Sequence, residues 1–405
     1  MQLVQGFAIA LLAGVSFAQD LAVRADRVHT VSGAVIEDGV VLVRGGKIAA
    51  VGKAADVQVP AGLRVVRAKV ATPGLVDAHS VVGLAGHLNQ SQDQDQHDPA
   101  APIQPELRAI DAYNARERLI EWVRGFGVTT IHTGHAPSAL ISGQTLVAKT
   151  RGDTVDEAVI VPRAMVAATL GADSRSEGAG KSPGTAGKQV ALLREAFLGA
   201  VEHRKKLQDA GSDAAKRPDR DLRKEALVDV LEKRVPLLVT AQRHQDIVSA
   251  LRLAKEFGFK LVLDGASEAY VVLDEIAAAG VPVIAHAPMA RFVAELENAS
   301  RSTPVKLLDA KVPFAFQSGY ESYVPKTRVV LYEAAIAAAN GLGADGALRA
   351  ITLDAARILG VDQRLGSLEV GKDGDLALYD GDPFEYTTHC VATVIEGVVV
   401  FEGAR

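Results

Sequence analysis

The chain has 405 residues, of which 48% are hydrophobic and 23% charged, and its net charge at pH 7 is −5. These values are typical of a globular protein with two or more domains, and they exclude the basic surface and aromatic platforms that nucleic-acid binding uses. The single cysteine, Cys390, excludes an intrachain disulfide and a zinc site built from cysteines.

The first eighteen residues, 1–18, predict an export signal. An apolar run from Leu3 to Val15 precedes the small residues Ser16 and Ala18, which suit signal-peptidase cleavage, and the run is too short to span a membrane. No Lys or Arg precedes the run, so an uncleaved amino-terminal strand or a wrongly assigned start of the chain is the alternative. We therefore expect a periplasmic or secreted protein, or a cytoplasmic one if the segment is not cleaved. No other segment predicts a membrane span.

Both ends of the remaining chain favour strands. Glycine turns separate short β-branched runs at 28–31, 40–43 and 47–51. Strand-like segments return near the carboxyl terminus, at 366–378 and 391–401. We predict a small composite β-sandwich domain whose first part is 19–72 and whose second part is 361–405.

Residues 73–360 alternate between strand and helix patterns. Strands are predicted at 74–76, 127–132, 142–149, 164–170, 237–241, 260–263, 281–285 and 312–317. Helices are predicted at 106–125, 189–208, 245–257, 267–279, 327–340 and 345–359. This alternation favours parallel βα units, and eight strands is the number that closes a TIM (β/α)8 barrel. The fold class is therefore α/β, with candidate catalytic residues at the carboxyl ends of the strands.

A polar loop over residues 86–105 follows the first barrel strand. A loop in this position lies over the mouth of a barrel, where it acts as a lid. A solvated surface loop is the alternative, because its composition cannot form a core of its own.

Several motifs resemble those of the amidohydrolase superfamily. Pro73, Gly74, Asp77 and His79 match the first-strand motif P-G-x-x-D-x-H-x-H, in which Val81 replaces the second histidine. The stretch GVVLVRGGKIAAVG resembles the β-domain that precedes the barrel in this superfamily. The tail GSLEVGKDGDL resembles its G-S-L-x-x-G-x-x-A-D-L signature. The resemblance covers residues 21–401, and it is greatest to the imidazolonepropionase-like group.

The resemblance implies a hydrolase that acts on C–N bonds of amides, cyclic amides or dipeptides, with one or two divalent metals such as zinc. Among the implied metal-ligand positions this chain keeps His79. The other positions carry Val81, Thr240, Asp264 and either Ser318 or Gly319. Threonine and glycine bind zinc far more weakly than imidazole or carboxylate, so these substitutions favour the absence of the standard binuclear site.

Two alternatives for the metal remain open. The first is that no metal binds. The second is a single zinc held by His79 with neighbours drawn from His132, His135, Lys149, Asp264 and His286. Two histidines at the end of the second barrel strand are also explained by structural hydrogen bonding.

The candidate catalytic pair is Asp264 and His79, acting as acid and base or holding a metal through His79. Four residues are candidates for substrate binding: His132, His135, Gln317 and Tyr320. Polar residues at other strand ends indicate a retained pocket: Gln144, Gln242, Arg243 and His244.

Two functions follow from these features. The first is a C–N hydrolase with an altered metal site. The second is a metal-free pseudoenzyme that binds a small molecule or a partner amidohydrolase. For either function we expect a small-molecule ligand and no nucleic acid, and the chain either forms a homo-oligomer or joins a partner amidohydrolase.

Overall fold

The computed structural model describes residues 20–176, 182–285, 288–289, 292–320 and 329–403. Three features of the sequence prediction lie outside the described residues. They are the export signal over 1–18, His286, and the start of the helix expected over 327–340.

The described part of the chain forms a mixed α/β fold with seventeen strands. They are β1 (Leu21–Val28), β2 (Ile36–Arg44), β3 (Lys47–Lys53), β4 (Arg64–Pro73), β5 (Leu75–Ser80), β6 (Val128–Thr133), β7 (Ile141–Gln144), β8 (Leu146–Lys149), β9 (Val159–Val161), β10 (Val166–Thr169), β11 (Leu237–Ala241), β12 (Leu261–Gly265), β13 (Val283–Ala285), β14 (Phe314–Phe316), β15 (Leu376–Tyr379), β16 (Cys390–Ile395) and β17 (Val398–Glu402).

The α-helices of the described part lie mainly between the strands of its middle section. They are α1 (Ala109–Ala112), α2 (Arg118–Arg124), α3 (Val155–Ala158), α4 (Ala186–Ala210), α5 (Leu222–Leu231), α6 (His244–Phe257), α7 (Leu273–Ala279), α8 (Thr303–Asp309), α9 (Val330–Ala337), α10 (Gly343–Ala350) and α11 (Leu353–Ile358). No helix in the described part is long and apolar enough to cross a membrane.

A seven-stranded sheet joins the two ends of the chain. Its strand order is β17-β16-β15-β4-β1-β2-β3. Strand β15 pairs antiparallel with β4, so that Leu376 lies opposite Pro73. The apolar side chains of both segments form one buried cluster that includes Val23, Val41 and Leu378. Both chain ends therefore contribute to one sheet, and its arrangement as a sandwich stays a prediction.

Two further sheets contain the remaining strands, in the orders β5-β6-β8-β9 and β14-β13-β12-β11-β10-β7. Strands β10 to β14 are parallel to one another. The free edges of the two sheets meet at a parallel bridge between Ser80 and Gly319, where the Gly319 N–H donates to the His79 carbonyl over 3.1 Å. This contact brings the end of β5 beside the end of β14.

The third predicted strand differs from the expected parallel arrangement. Residues 142–149 form β7 and β8, which are antiparallel to β10 and β6 respectively. Only residues 134–140 connect β6 to β7. A parallel crossover needs about a dozen residues or more, so a connection of this length returns the chain in the opposite direction.

The helix predicted over 106–125 is divided into α1 and α2. Between them, the Asn114 side chain accepts a hydrogen bond from the backbone N–H of Arg116 over 3.0 Å. Asparagine competes with the helix for such backbone groups, which explains the break. The helix predicted over 267–279 likewise begins only at Leu273, after a single 3₁₀ turn.

Gly74 allows β5 to lie against β6. A Cβ at this position would overlap the side chain of Thr129, which is itself 1% exposed. We therefore expect Gly74→Ala to lower the free energy of unfolding by about 1–3 kcal/mol, as overpacking does. Urea denaturation measures this loss. Gly187→Ala is the matched control, because an added Cβ there meets no atom within 4 Å and alanine favours helix α4. Equal stability of the two variants would contradict the prediction.

Candidate functional site

Polar side chains follow an apolar layer on one face of the parallel strands. The apolar layer belongs to one buried cluster that includes Leu238, Val262 and Ala315. Residues two positions further along a strand point to the same side, and here those residues are Thr240, Asp264 and Gln317. All three are buried. The strand pattern therefore gathers polar groups at the carboxyl end of the sheet.

His79 reaches this polar layer from β5. Its Nδ1 lies 2.9 Å from Oδ1 of Asp264, and both side chains are at most 5% exposed. The pairing of β5 with β6 shifts register between Asp77 and Ser80, and such an irregularity re-aims a side chain. The structure thus places the two candidate catalytic residues in direct contact.

Two further residues hold Asp264 in place. The Thr240 hydroxyl donates to Oδ2 over 2.6 Å, and Nε2 of Gln317 donates to Oδ1 over 2.7 Å. Burial alone would raise the pKa of Asp264, but the charge and hydrogen bond of His79, together with these two donors, lower it below its ordinary value. Asp264 is therefore held as a carboxylate.

The charge of this carboxylate determines the protonation of His79. Burial disfavours a charged imidazole, yet the attraction of Asp264 and Asp77 raises the pKa of His79 above 6.5. Its Nε2 is buried and has no hydrogen-bond partner among the described residues. An imidazole held at Nδ1 by a carboxylate, with a free Nε2, can take up and release a proton at that atom.

Asp77 forms a second buried group that sequence analysis noticed only as part of a motif. Its Oδ1 accepts from the backbone N–H of Ser318 over 2.9 Å, and its Oδ2 accepts from the Ser318 hydroxyl. Burial raises the pKa of Asp77 to about 6, against the opposing effect of these bonds. Asp77 thereby connects the start of the site in β5 to the segment that follows β14.

His132 lies beneath His79, with their ring centroids 5.4 Å apart. Its Nδ1 donates to the Ala78 carbonyl over 2.6 Å, and its Nε2 accepts from the Thr145 hydroxyl over 2.6 Å. Both ring nitrogens of this candidate substrate-binding residue are therefore engaged, which fixes the tautomer of the ring. Its role in binding substrate stays a prediction.

We expect His132 to stay neutral at pH 5. Burial and the charge of His79 lower its pKa to about 3, from 6.5. Below pH 6.5 the unfolded chain therefore takes up a proton that the folded chain does not, so stability is lost as the pH falls toward 3. Unchanged ¹⁵N shifts of this ring between pH 7 and pH 5 would support the prediction, and an imidazolium signal at pH 5 would contradict it.

The donors that are present do not fit a metal held in the manner implied by the sequence resemblance. Val81 is buried in an apolar cluster, Thr240 already donates to Asp264, and Ser318 already donates to Asp77. Catalytic zinc needs about three protein ligands. Among the described residues, no group of three or more His, Cys, Asp or Glu side chains is placed to hold a metal ion.

Among the described residues, neither Lys149 nor His135 forms a hydrogen bond with the His79–Asp264 pair. Nζ of Lys149 donates to Asp373 over 2.9 Å and to Asp375 over 2.5 Å, at the junction with the seven-stranded sheet. His135 is buried, and its Nδ1 has no partner among the described residues. Burial lowers the pKa of His135. The structure therefore does not bring Lys149 to His79, and any role of His135 in binding stays a prediction.

An apolar cluster lies where the second motif histidine is expected. Val81, Ala85 and Ala136 are buried together, and the half-buried Tyr320 packs against them. The polar loop over 86–105 covers this region, because the backbone N–H of Ala136 donates to the Gln96 carbonyl over 2.7 Å. Tyr320 thus contacts the surroundings of the pair through apolar packing.

The other polar residues at the strand ends are used in local contacts. Nε2 of Gln144 donates to the Pro105 carbonyl over 2.8 Å, and Oε1 of Gln242 accepts from the Ser267 N–H over 3.3 Å. Arg243 forms an ion pair with Glu297, and Nδ1 of His244 lies 2.6 Å from a carboxylate oxygen of Glu268. These contacts order the loops around the site.

A family model described as the amidohydrolase family matches residues 336–401. A solved amidohydrolase from Thermotoga maritima MSB8 is 28% identical, with a TM-score of 0.87, over 95% of this chain and 100% of that one. An adenosine deaminase from Xanthomonas campestris with bound zinc is 19% identical, with a TM-score of 0.56, over 94% and 92%. A putative prolidase from Bifidobacterium longum is 17% identical, with a TM-score of 0.58, over 95% of each chain. No protein of curated function has a significantly similar sequence.

Proposed function

Because the chain belongs to the amidohydrolase superfamily, we propose that it hydrolyses a C–N bond of an amide, a cyclic amide or a dipeptide, with His79 and Asp264 as its acid–base pair. The resemblance found in the sequence is confirmed at the level of the superfamily. The imidazolonepropionase-like grouping is consistent with these similarities and remains part of the proposal.

We also infer that the strands from β5 to β14 form a closed barrel of the (β/α)8 type with a reversed third strand. Three features support closure. Strands β7 and β8 are separated only by Thr145. They belong to different sheets, since β7 pairs with β10 and β8 pairs with β6. The bridge from Ser80 to Gly319 joins the other edges of these two sheets, at β5 and β14. In such a barrel the pair lies at the carboxyl ends of the strands, where barrel enzymes carry their chemistry.

The observation that carries the proposal is that Nε2 of His79 has no hydrogen-bond partner in the described part of the chain. In the proposed reaction this atom removes a proton from water as the oxygen attacks the carbonyl carbon. The same proton then passes from Nε2 to the departing nitrogen, the C–N bond breaks, and a carboxylic acid and an amine are formed. Asp264 stabilises the imidazolium between the two transfers, and Thr240 and Gln317 hold Asp264.

A second candidate function is binding without turnover. Two observations favour it. Asp264 already accepts hydrogen bonds from His79, Thr240 and Gln317. Val81, at a position where the resemblance implies a metal ligand, packs in an apolar cluster. In that case Nε2 of His79 is a hydrogen-bonding atom for a bound small molecule. The hydrolase remains the first proposal because family membership and the pair both support it.

One experiment separates these proposals. The full chain, purified without chelators, is analysed for metal and then assayed against a panel of amides, cyclic amides and dipeptides with and without EDTA. Turnover that persists in EDTA supports the acid–base pair. Saturable binding of a panel member with no turnover supports the second candidate. One zinc per chain together with turnover that EDTA abolishes would overturn both.

A further inference from the structure

A cleft of about 1390 Å³ opens at the opposite end of the parallel strands from the His79–Asp264 pair. Its walls include residues that precede or begin the five strands from β10 to β14: Met165, Pro236, Leu261, Pro282 and Pro313. Leu261 and Asp264 are three positions apart in β12, which corresponds to about 10 Å along a strand. The cleft is therefore separate from the proposed active site.

The inner surface of this cleft is apolar. Met165, Phe259, Val281 and Leu359 are all less than 9% exposed and line its depth. The half-buried Leu251 of helix α6 adds to the same wall. Contact with hydrocarbon would remove from water the part of this wall that is still exposed, which lies on half-buried lining residues such as Val248, Leu251 and Ile358. This removal is favourable in proportion to the area covered.

The charged residues that line the cleft are almost all cationic. Among the described residues of the lining, Glu275 is the single acidic one. The basic residues in the lining are Arg163, Arg234, Arg252, Lys255, Lys260 and Arg357. Since the whole chain has a net charge of −5, this cleft has the opposite sign to the protein average.

Three of these cations have no ion-pair partner within the described residues: Arg252, Lys255 and Lys260. The other three pair with Asp229 or Asp354. Arg252 and Lys255 are three positions apart on α6 and so lie on one face of that helix. The helix dipole favours a cation in the last turn of α6, which accounts for the presence of Lys255 without a ligand. It does not account for Lys260, which lies outside α6 and precedes β12.

We propose that this cleft binds a long-chain carboxylate, with its hydrocarbon chain on the apolar wall and its carboxylate beside Arg252, Lys255 and Lys260. An inorganic anion would leave the apolar wall in water, and a neutral hydrocarbon would leave the cations without a counter-charge. The cleft is larger than the roughly 300–1,000 Å³ of an ordinary small-ligand pocket, which suits an extended chain.

Dodecanoate binding to the full chain tests this proposal by isothermal titration calorimetry. Two probes accompany it: dodecanol, which has the chain without the charge, and acetate, which has the charge without the chain. We expect saturable 1:1 binding of dodecanoate, at least about tenfold weaker binding of dodecanol, and no measurable binding of acetate. Non-saturable uptake of dodecanoate, or equal binding of dodecanol, would overturn the proposal.

A triple variant tests the location: Arg252→Ala, Lys255→Ala and Lys260→Ala. This variant should bind dodecanoate at least about tenfold more weakly. Its remaining binding should depend less on salt concentration than that of the wild type, because the charges that salt screens are gone. The matched control removes three exposed cations elsewhere: Lys188→Ala, Lys205→Ala and Lys216→Ala. Equal binding by both triple variants would overturn the assignment. A different result would assign the cleft to a second copy of the chain. In that case the wild type does not bind dodecanoate, and sedimentation shows that it self-associates whereas the first triple variant does not.

Discussion

His79→Ala is expected to lower kcat/KM for the amide substrate by about 10²–10⁴-fold, which is the usual contribution of a positioned acid or base. Alanine removes the Nδ1 atom that binds Asp264 and the buried Nε2 atom, for which the described residues provide no partner. Asp264→Asn should have a loss of similar direction, because the amide cannot stabilise an imidazolium. Steady-state kinetics with the substrate identified from the panel measures both effects.

Two controls separate chemistry from folding. His389→Ala removes an exposed histidine, with a side chain 79% exposed, and should leave kcat/KM unchanged. Far-UV circular dichroism and urea midpoints show whether the buried variants remain folded, and added imidazole should partly restore turnover to His79→Ala. Full activity of a folded His79→Ala protein would remove His79 from the mechanism.

Lys149→Met is expected to lower the free energy of unfolding by about 3–5 kcal/mol, the usual cost of removing one partner from a buried ion pair. Lys149, Asp373 and Asp375 are each at most 5% exposed. Against the effect of burial, Lys149 first and then Lys47 and Arg364 lower the pKa of Asp373 to about 2. Asp373 retains Lys47 and Arg364 as partners after the substitution. Asp375 loses Lys149, which is its only ion-pair partner among the described residues.

The pH dependence of this variant gives a second readout. Burial already raises the pKa of Asp375 despite the attraction of Lys149, and loss of that cation raises it further. An acid whose folded pKa exceeds its unfolded value gains stability as the pH falls, so the deficit of Lys149→Met should shrink between pH 7 and pH 5. Lys205→Met is the control, since its exposed pair with Asp209 contributes less than about 1 kcal/mol. A deficit no larger than that of the control would refute the prediction.

Much of the middle of the chain was predictable because local patterns decide it. The strands expected at 237–241 and 260–263 correspond to β11 and β12, and the helix expected at 245–257 corresponds to α6. Regular alternation of this kind reflects residues that are buried on both sides of a parallel sheet. Those segments needed no knowledge of distant contacts.

The reversed third strand was missed although the sequence contains a signal for it. Seven residues, 134–140, separate β6 from β7, and that spacing excludes a helical crossover. The periodicity of residues 142–149 predicts that they form a strand, but it does not predict whether that strand is parallel or antiparallel to its neighbours. Connection length, rather than composition, would have identified the reversal.

The candidate site was predictable in part. Asp264 and His79 could be proposed because each occupies a position in a recognisable motif, and the structure places them 2.9 Å apart. The junction role of Lys149 could not be foreseen, because Asp373 and Asp375 are more than 220 positions away in sequence. The engagement of both His132 nitrogens likewise depends on Thr145 and Ala78, whose proximity only the fold creates.

The pairing of β15 with β4 has a consequence for how the protein is made. Pro73 and Leu376 face each other across that pair, although the ribosome joins them to the chain 303 positions apart. Until β15 emerges, β4 presents an edge that is not yet paired with it, and such an edge is a template for association with other chains. A polypeptide released before residue 376 would retain that edge, so the amino-terminal strands are protected from aggregation only after β15 has been made and has paired with β4.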